Sequence, residues 1–276
     1  MVDLGDDLVA KTWHARALGD IERLRGFYSA VGASGVTLAT PNILQVLSVD
    51  DQNVTIERRL HGRPLRNDES DLSPVVGDVE TGCVLEALHA LQAGIPTTNM
   101  SSLPVLEGER PFSFGENLAA LVERRVQRRR AILVRAVPDV DRVVRAVISE
   151  LRRIRQRPYA LVHGDLIPAN ILVDEESAPV AVLDFGLLSA VGDPRFDAAV
   201  ATSIFDMYSP RARTNEDILT SAVVAEFGYD SSVLHLYRAA YALVTSNCFS
   251  ASGTDGHFEW CATMLQRSDV RAAIGL

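Results

Sequence analysis

Lysine is almost missing from this chain. Of its 27 lysines and arginines, Lys11 is the only lysine. A compact ammonium and a planar guanidinium are not interchangeable against a polyphosphate, so the surviving lysine is a candidate ligand-binding residue. Codon bias with one random survivor is the plainer alternative. Cysteine is also scarce: Cys83, Cys248 and Cys261 have no metal-ligand spacing and cannot all pair with one another. This excludes a disulfide framework and points to a reducing compartment. Aromatic residues make up only 6%, too few for a base-stacking surface for single-stranded nucleic acid. No apolar run approaches the roughly 20 residues that span a bilayer. The opening MVDLGDDLVAK carries acids where a secretion signal carries basic and then apolar residues. The net charge of −9 disfavours phosphate backbones and anionic membranes and tolerates a cationic ligand. The expectation is a cytoplasmic protein that partners neither nucleic acid nor membrane.

What is present is ordinary globular material. The 276 residues are 47% hydrophobic and 23% charged, enough for one large domain or two lobes sharing a cleft. LVAKTW, residues 8–13, reads as a strand entered through a turn at Gly5, Asp6 and Asp7. Asp20 is placed to cap a helix with Ile21, Leu24, Tyr28 and Val31 on one face. Apolar runs at Ile43–Val49 and Val54–Leu60 flank DDQN as a hairpin, followed by HGRP, a candidate hinge. A helix is expected from Pro74, continuing through LEALHAL. A polar, proline-containing loop from Ile95 to Pro111 then leads into arginine-rich helices broken near Pro138. The RRVQRRR and ELRRIRQR runs have acids among and around them and helical spacing, and so read as solvated helix faces. Two short strands, YALVH and APVAVLDF, bracket the most informative segment, and the chain from Arg195 onward reads as mainly helical.

That segment is HGDLIPANILV, residues 163–173, with VAVLDFGLL, residues 180–188. Asp165 follows a short strand, where a carboxylate can accept a proton from an alcohol. Asn170, five residues on, can offer its side-chain oxygen to a hard cation, and Asp184 at the end of the next strand suits Mg²⁺ between phosphates. A positioned hydroxyl, a metal and a cation on the phosphates are what phosphoryl transfer requires.

HGD-x4-N followed by LDFG resembles the catalytic core of the aminoglycoside phosphotransferase and choline kinase-like superfamily. GDPRFDAA at 192–199, the VAK strand and Leu88-His89 extend the likeness over nearly the whole chain. The resemblance implies an α+β, two-lobed protein-kinase-like fold, with a nucleotide-binding lobe at 1–60 and a mainly helical catalytic and acceptor-binding lobe at 61–276. It implies Asp165 as catalytic base or hydroxyl-orienting carboxylate, and Asn170 and Asp184 as Mg²⁺ ligands. Lys11 is expected on the nucleotide phosphates, steadied by Glu22, with Glu57, Arg59 and Leu60 in the backbone segment that meets the purine. His163 and Asp197 are expected to support the catalytic loop.

The pattern departs from the family ahead of Lys11. Ten residues there hold a turn and at most a stub of strand, so the first strand and the glycine-rich phosphate loop are expected to be absent. Ile167 stands where relatives often carry His, and Ala169 where Gly is frequent. The implied activity is transfer of the γ-phosphoryl group of ATP or GTP to a hydroxyl of an aminoglycoside-like or other natural product, as in antibiotic resistance. The alternative is a catalytically silent kinase-like binder. Asp206, Glu216, Asp217, Asp255 and Glu259 are either a lining for a polycationic acceptor or solvated surface acids, and Phe258 and Trp260 read as core.

Overall fold

The computed structural model describes residues 1–14, 16–66, 74–94, 113–155, 157–186 and 188–276. The loop expected at 95–111 and Ser73, Gln156 and Leu187 of the segments above lie outside the described residues. Two compact units are formed. The first comprises Met1–Asn67, Asp78–Val105 and Tyr159–Gly192, the second Asp68–Gly77, Leu106–Pro158 and Asp193–Leu276.

In the first unit, β1 (Val2–Gly5), β2 (Leu8–Trp13), β3 (Ile43–Val49) and β4 (Gln52–Arg58) form an antiparallel sheet in the order β1-β2-β4-β3. Asp6 and Asp7, and again Asp50 and Asp51, adopt positive φ between 47° and 60°, the left-handed pair that matches a two-residue turn to the twist of its strands. The expected hairpin is present, with β4 starting and ending two residues earlier than the apolar run suggested. The turn before β2 follows a real four-residue strand.

Helix α1 (Leu18–Gly32) buries Ile21, Leu24, Tyr28 and Val31, the expected stripe, and Phe27 beside them. Its cap position is Ala17, so Asp20 is not the cap. Asp20 lies in the first turn, where a carboxylate complements the exposed N–H groups, and pairs with Arg23. HGRP is no open linker: Arg63–Pro64 forms β5 against β7 (Ile171–Val173), which pairs with β8 (Pro179–Val182). Helix α2 (Asp78–Ala93) begins four residues after Pro74, with Asp78 and Glu80 in its first turn. β6 (Ala160–Val162) pairs with β9 (Ala190–Gly192), a strand too short for sequence periodicity to register.

The second unit is helical. α3 (Phe114–Ala136) starts on a capping box in which Ser113 and Glu116 satisfy each other's backbone N–H groups. It breaks at Pro138 before α4 (Val140–Arg153). Val126 faces inward from the arginine-rich run while Arg128 and Arg130 face solvent, Arg130 pairing with Asp141. Then come α5 (Pro194–Ile204), α6 (Ala212–Phe227), α7 (Ser231–Thr245), α8 (Gly256–Gln266) and α9 (Ser268–Ala273). Leu118, Leu121, Leu133, Leu151, Phe196 and Tyr237 form the core, together with a fully buried Arg238 held 2.8 Å from Glu216. Among the described residues no helix is long and apolar enough to cross a membrane. All three cysteines are free.

Candidate active site

The HGD loop is built from the inside out. His163 leaves the end of β6 wholly buried. Its Nε2–H donates to the Leu183 carbonyl at 2.6 Å, which makes Nδ1 the acceptor of the Asp165 N–H at 3.2 Å. Burial pushes its pKa down to about 4, so the ring is neutral around pH 7. Gly164 takes φ +79°, and a Cβ there would lie 2.6 Å from the Leu188 backbone. Only glycine fits, which gives a physical reason for H-G-D. Asp165 is thereby held with its side chain toward solvent.

A short turn at Pro168–Asn170 closes the loop. The Asn170 amide donates to the Asp165 carbonyl at 2.9 Å, which leaves its side-chain oxygen to face other partners. Leu183 N–H donates to the Asn170 carbonyl at 2.8 Å, locking the loop to the segment that carries Asp184. Asp184 has φ +52°, a conformation non-glycine residues adopt rarely and mostly where function or turn geometry requires it. Phe185 is buried against Phe27 and Tyr28 of α1 and against His163, with ring centroids 5.5, 6.2 and 4.5 Å away. Ser189, which sequence reasoning passed over, ties the two motifs. Its hydroxyl donates to the His163 carbonyl at 2.5 Å and accepts from Gly186 N–H at 2.7 Å.

A cavity of about 550 Å³ opens beside this loop pair, lined among others by Lys11, Tyr28, Glu57, Leu60, Leu183 and Asp184. Its size is that of a small-molecule site. Lys11 Nζ lies 2.9 Å from Asp184 Oδ1 and 4.5 Å above the Trp13 ring. Arg59 also lines the cavity, its N–H donating to the Asp7 carbonyl at 2.7 Å and its side chain pairing with Asp3. The expected Lys11–Glu22 pair is not formed. Glu22 is off the buried stripe of α1, half-exposed and 3.7 Å from Arg25. The α1 residue that reaches the cavity is Tyr28, whose hydroxyl stays protonated because burial, then Glu57 and Asp184, push its pKa well up. Asp165, Asn170 and His163 are not among the cavity-lining residues; hydrogen bonds of the loop join them to its Asp184 end.

In the second unit Asp197 is buried in the first turn of α5, whose cap is Asp193, a residue the sequence did not single out. Asp193 accepts from Tyr237 Oη at 2.8 Å and pairs with Arg195. Four of the five acids considered for a cationic acceptor have local structural partners. Glu216 is buried against Arg238 and Arg267, and Asp217 pairs with Arg213. Asp206 accepts from Asn215 at 2.7 Å, and Asp255 caps α8. Glu259 is exposed. Phe258 is buried and Trp260 stacks on His257.

Asp184 and Asn170 are hard oxygen donors on adjoining, hydrogen-bonded segments. Mg²⁺ keeps several waters and needs only one or two such protein ligands beside substrate phosphates, so the donor set fits that ion.

The family model described as phosphotransferase enzyme family matches residues 2–231. Among solved structures, the chain resembles aminoglycoside phosphotransferase APH(3'')-Id from Streptomyces rimosus, in complex with ADP and streptomycin. That likeness has 16% identity, covers 88% of this chain and 89% of the other, and has a TM-score of 0.53. The GDP and kanamycin complex of APH(2'')-IIIa gives 16% identity, coverage of 95% and 85%, and a TM-score of 0.59. Choline kinase LicA from Streptococcus pneumoniae gives 12% identity, coverage of 97% and 85%, and a TM-score of 0.51. At such identities the likeness shows a shared protein-kinase-like fold. No curated protein matches in sequence.

Proposed function

On the premise that this chain belongs to the APH phosphotransferase enzyme family, we propose that it transfers the γ-phosphoryl group of ATP or GTP to a hydroxyl of a small natural-product acceptor of the aminoglycoside kind. The observation that carries the reading is the loop pair. His163, Ser189 and the Leu183–Asn170 bond hold Asp165, Asn170 and Asp184 on fixed backbone in one unit.

In this reading the nucleotide occupies the cavity, its base toward the Glu57–Leu60 segment and its phosphates toward Lys11 and Asp184. Asp184 and Asn170 hold Mg²⁺, which when bound neutralises the charge on the transferring phosphoryl group. Asp165 orients the acceptor hydroxyl and accepts its proton as the new O–P bond forms and the nucleoside diphosphate leaves. The neutral His163 moves no proton; it fixes the backbone N–H of Asp165. The structural partners of Asp206, Glu216, Asp217 and Asp255 leave those acids no special claim on a polycation, so the acceptor class rests on the family.

Asp165→Ala is the direct test. Turnover with a reacting acceptor falls by about a hundredfold or more, as for loss of a general base, while nucleotide binding by calorimetry is unchanged. Near-normal turnover removes Asp165 from the chemistry. A silent small-molecule binder is the second reading, favoured by the outward-turned Glu22. Mg²⁺-dependent nucleotide consumption across a panel of aminoglycosides and other hydroxylated natural products separates the two.

A further inference from the structure

To be held in place beside the phosphates, Lys11 needs a protein carboxylate other than Asp184. The two are paired at 2.9 Å here, yet Asp184 is also the carboxylate suited to Mg²⁺. Two cations on one carboxylate compete for its oxygens and repel each other. Glu22 is turned outward to Arg25. Of the other acids lining the cavity, Asp3 is engaged by Arg59, which leaves Glu57.

Glu57 is placed for the task. In the β2–β4 ladder Lys11 lies opposite Thr55, and Val9 opposite Glu57. Alternate residues share a face, so Lys11 and Glu57 are diagonal neighbours on the cavity side. Diagonal neighbours lie about 7–8 Å apart, their Cβ atoms somewhat closer, within reach of two long side chains. Glu57 is only 9% exposed, and its carboxylate is oriented: Thr55 Oγ1 donates to Oε1 at 2.5 Å and accepts from Trp13 Nε1 at 3.0 Å. Trp13 is also the ring beneath the Lys11 ammonium.

We infer that Glu57 is the positioning residue that holds Lys11 when nucleotide and Mg²⁺ occupy the site, supplying from β4 the carboxylate that the family resemblance implies at Glu22 of α1. Lys11 thus exchanges Asp184 for Glu57 as the metal arrives, and the Trp13–Thr55 pair sets the angle at which Glu57 receives it. The inference rests on the phosphotransferase reading and deepens it.

The test uses the single lysine. Reductive ¹³C-methylation of the full chain gives one side-chain amine resonance, that of Lys11, beside the N-terminal amine. Mg²⁺ and ADP are the probe. The Lys11 signal of the unsubstituted chain moves to a new position on adding both, Glu22→Gln reproduces that position, and Glu57→Gln does not. In turnover, Glu57→Gln lowers kcat by about tenfold to a hundredfold, the cost of a misplaced group, with ADP affinity within about threefold. Glu57→Asp, which keeps the charge on a shorter arm, recovers part of the loss and serves if the glutamine variant does not fold. Equal signals in Glu57→Gln and the unsubstituted chain, or loss of the bound-state signal in Glu22→Gln, overturn the inference. Failure of the unsubstituted chain to bind Mg²⁺ and ADP overturns the phosphotransferase reading itself, and the inference with it.

Discussion

The two halves of the candidate site are held by different means. Around Asp165 and Asp184, position is set by backbone. His163, Asn170 and Ser189 fix main-chain atoms within the HGD loop and between it and the segment that carries Asp184, through hydrogen bonds of 2.5–3.2 Å. Around Lys11, position is set by long side chains crossing from separate elements: Lys11 of β2 pairs with Asp184, and Glu57 of β4 lines the same cavity. A backbone-fixed site leaves little to rearrange when a ligand arrives, whereas a side-chain-fixed site can exchange partners at the cost of a few rotamers. The first half should therefore break sharply under substitution and the second should adjust.

Gly164→Ala breaks the rigid half hardest. The new methyl meets the Leu188 backbone at 2.6 Å in a conformation that L-residues avoid. Steric overlap and left-handed strain each cost about 1–3 kcal/mol. We expect a loss of about 2–6 kcal/mol in denaturant unfolding, with activity lost as Asp165 is displaced. A variant within about 0.5 kcal/mol of the parent, retaining turnover, would show that the loop is not fixed by this contact.

His163 comes next and shows through pH. The folded protein keeps the ring neutral down to about pH 4, whereas the unfolded chain protonates it near 6.5. Its contribution is complete above pH 6.5 and lost as pH falls from 6.5 to 4, and amounts to roughly 3 kcal/mol. His257 and His235 are also depressed by burial and add to acid sensitivity in the second unit. His163→Gln, which retains a donor and an acceptor, isolates the term. The slope of stability against pH between 6.5 and 4 should fall by about one proton on unfolding. An unchanged slope would mean that the ring is not held neutral.

The same contrast explains what the sequence disclosed. The HGD and LDFG motifs are short, and each encodes its own local geometry. The family and the mixed fold with a small antiparallel sheet were therefore legible, as were the hairpin and the helical remainder. Ser189 was hidden because a buried serine carries no spacing signal. The helix start was misplaced because Pro74 is compatible with a first turn without requiring one, while Asp78 and Glu80 supply the charges that favour the N-terminus. Glu57 stood in the segment expected to meet the purine, but its place diagonal to Lys11 depends on pairing register between β2 and β4, which alternation within one strand does not specify. The signal against Glu22 was available: a stripe at 21, 24, 28 and 31 puts position 22 outside the buried face.

That last residue gives the smallest expected effect, and the one that sharpens the comparison most. Glu22 is half-exposed, and its partner Arg25, at 3.7 Å, is equally open to solvent. An exposed i,i+3 pair on a helix contributes only a few tenths of a kcal/mol and is screened by salt. Glu22→Ala should change the free energy of unfolding by less than about 0.5 kcal/mol, partly offset by the better helix propensity of alanine. The nucleotide KM should stay within about twofold, since no contact to the cavity is removed. Raising the salt should remove the ion pair's share of that difference, which is Coulombic, and leave the propensity gain of alanine. A tenfold rise in nucleotide KM with unchanged stability would mean that α1 turns on ligand binding and brings Glu22 to Lys11 after all. The flexible half of the site would then be reset by a helix rotation rather than by an exchange of partners across β2 and β4.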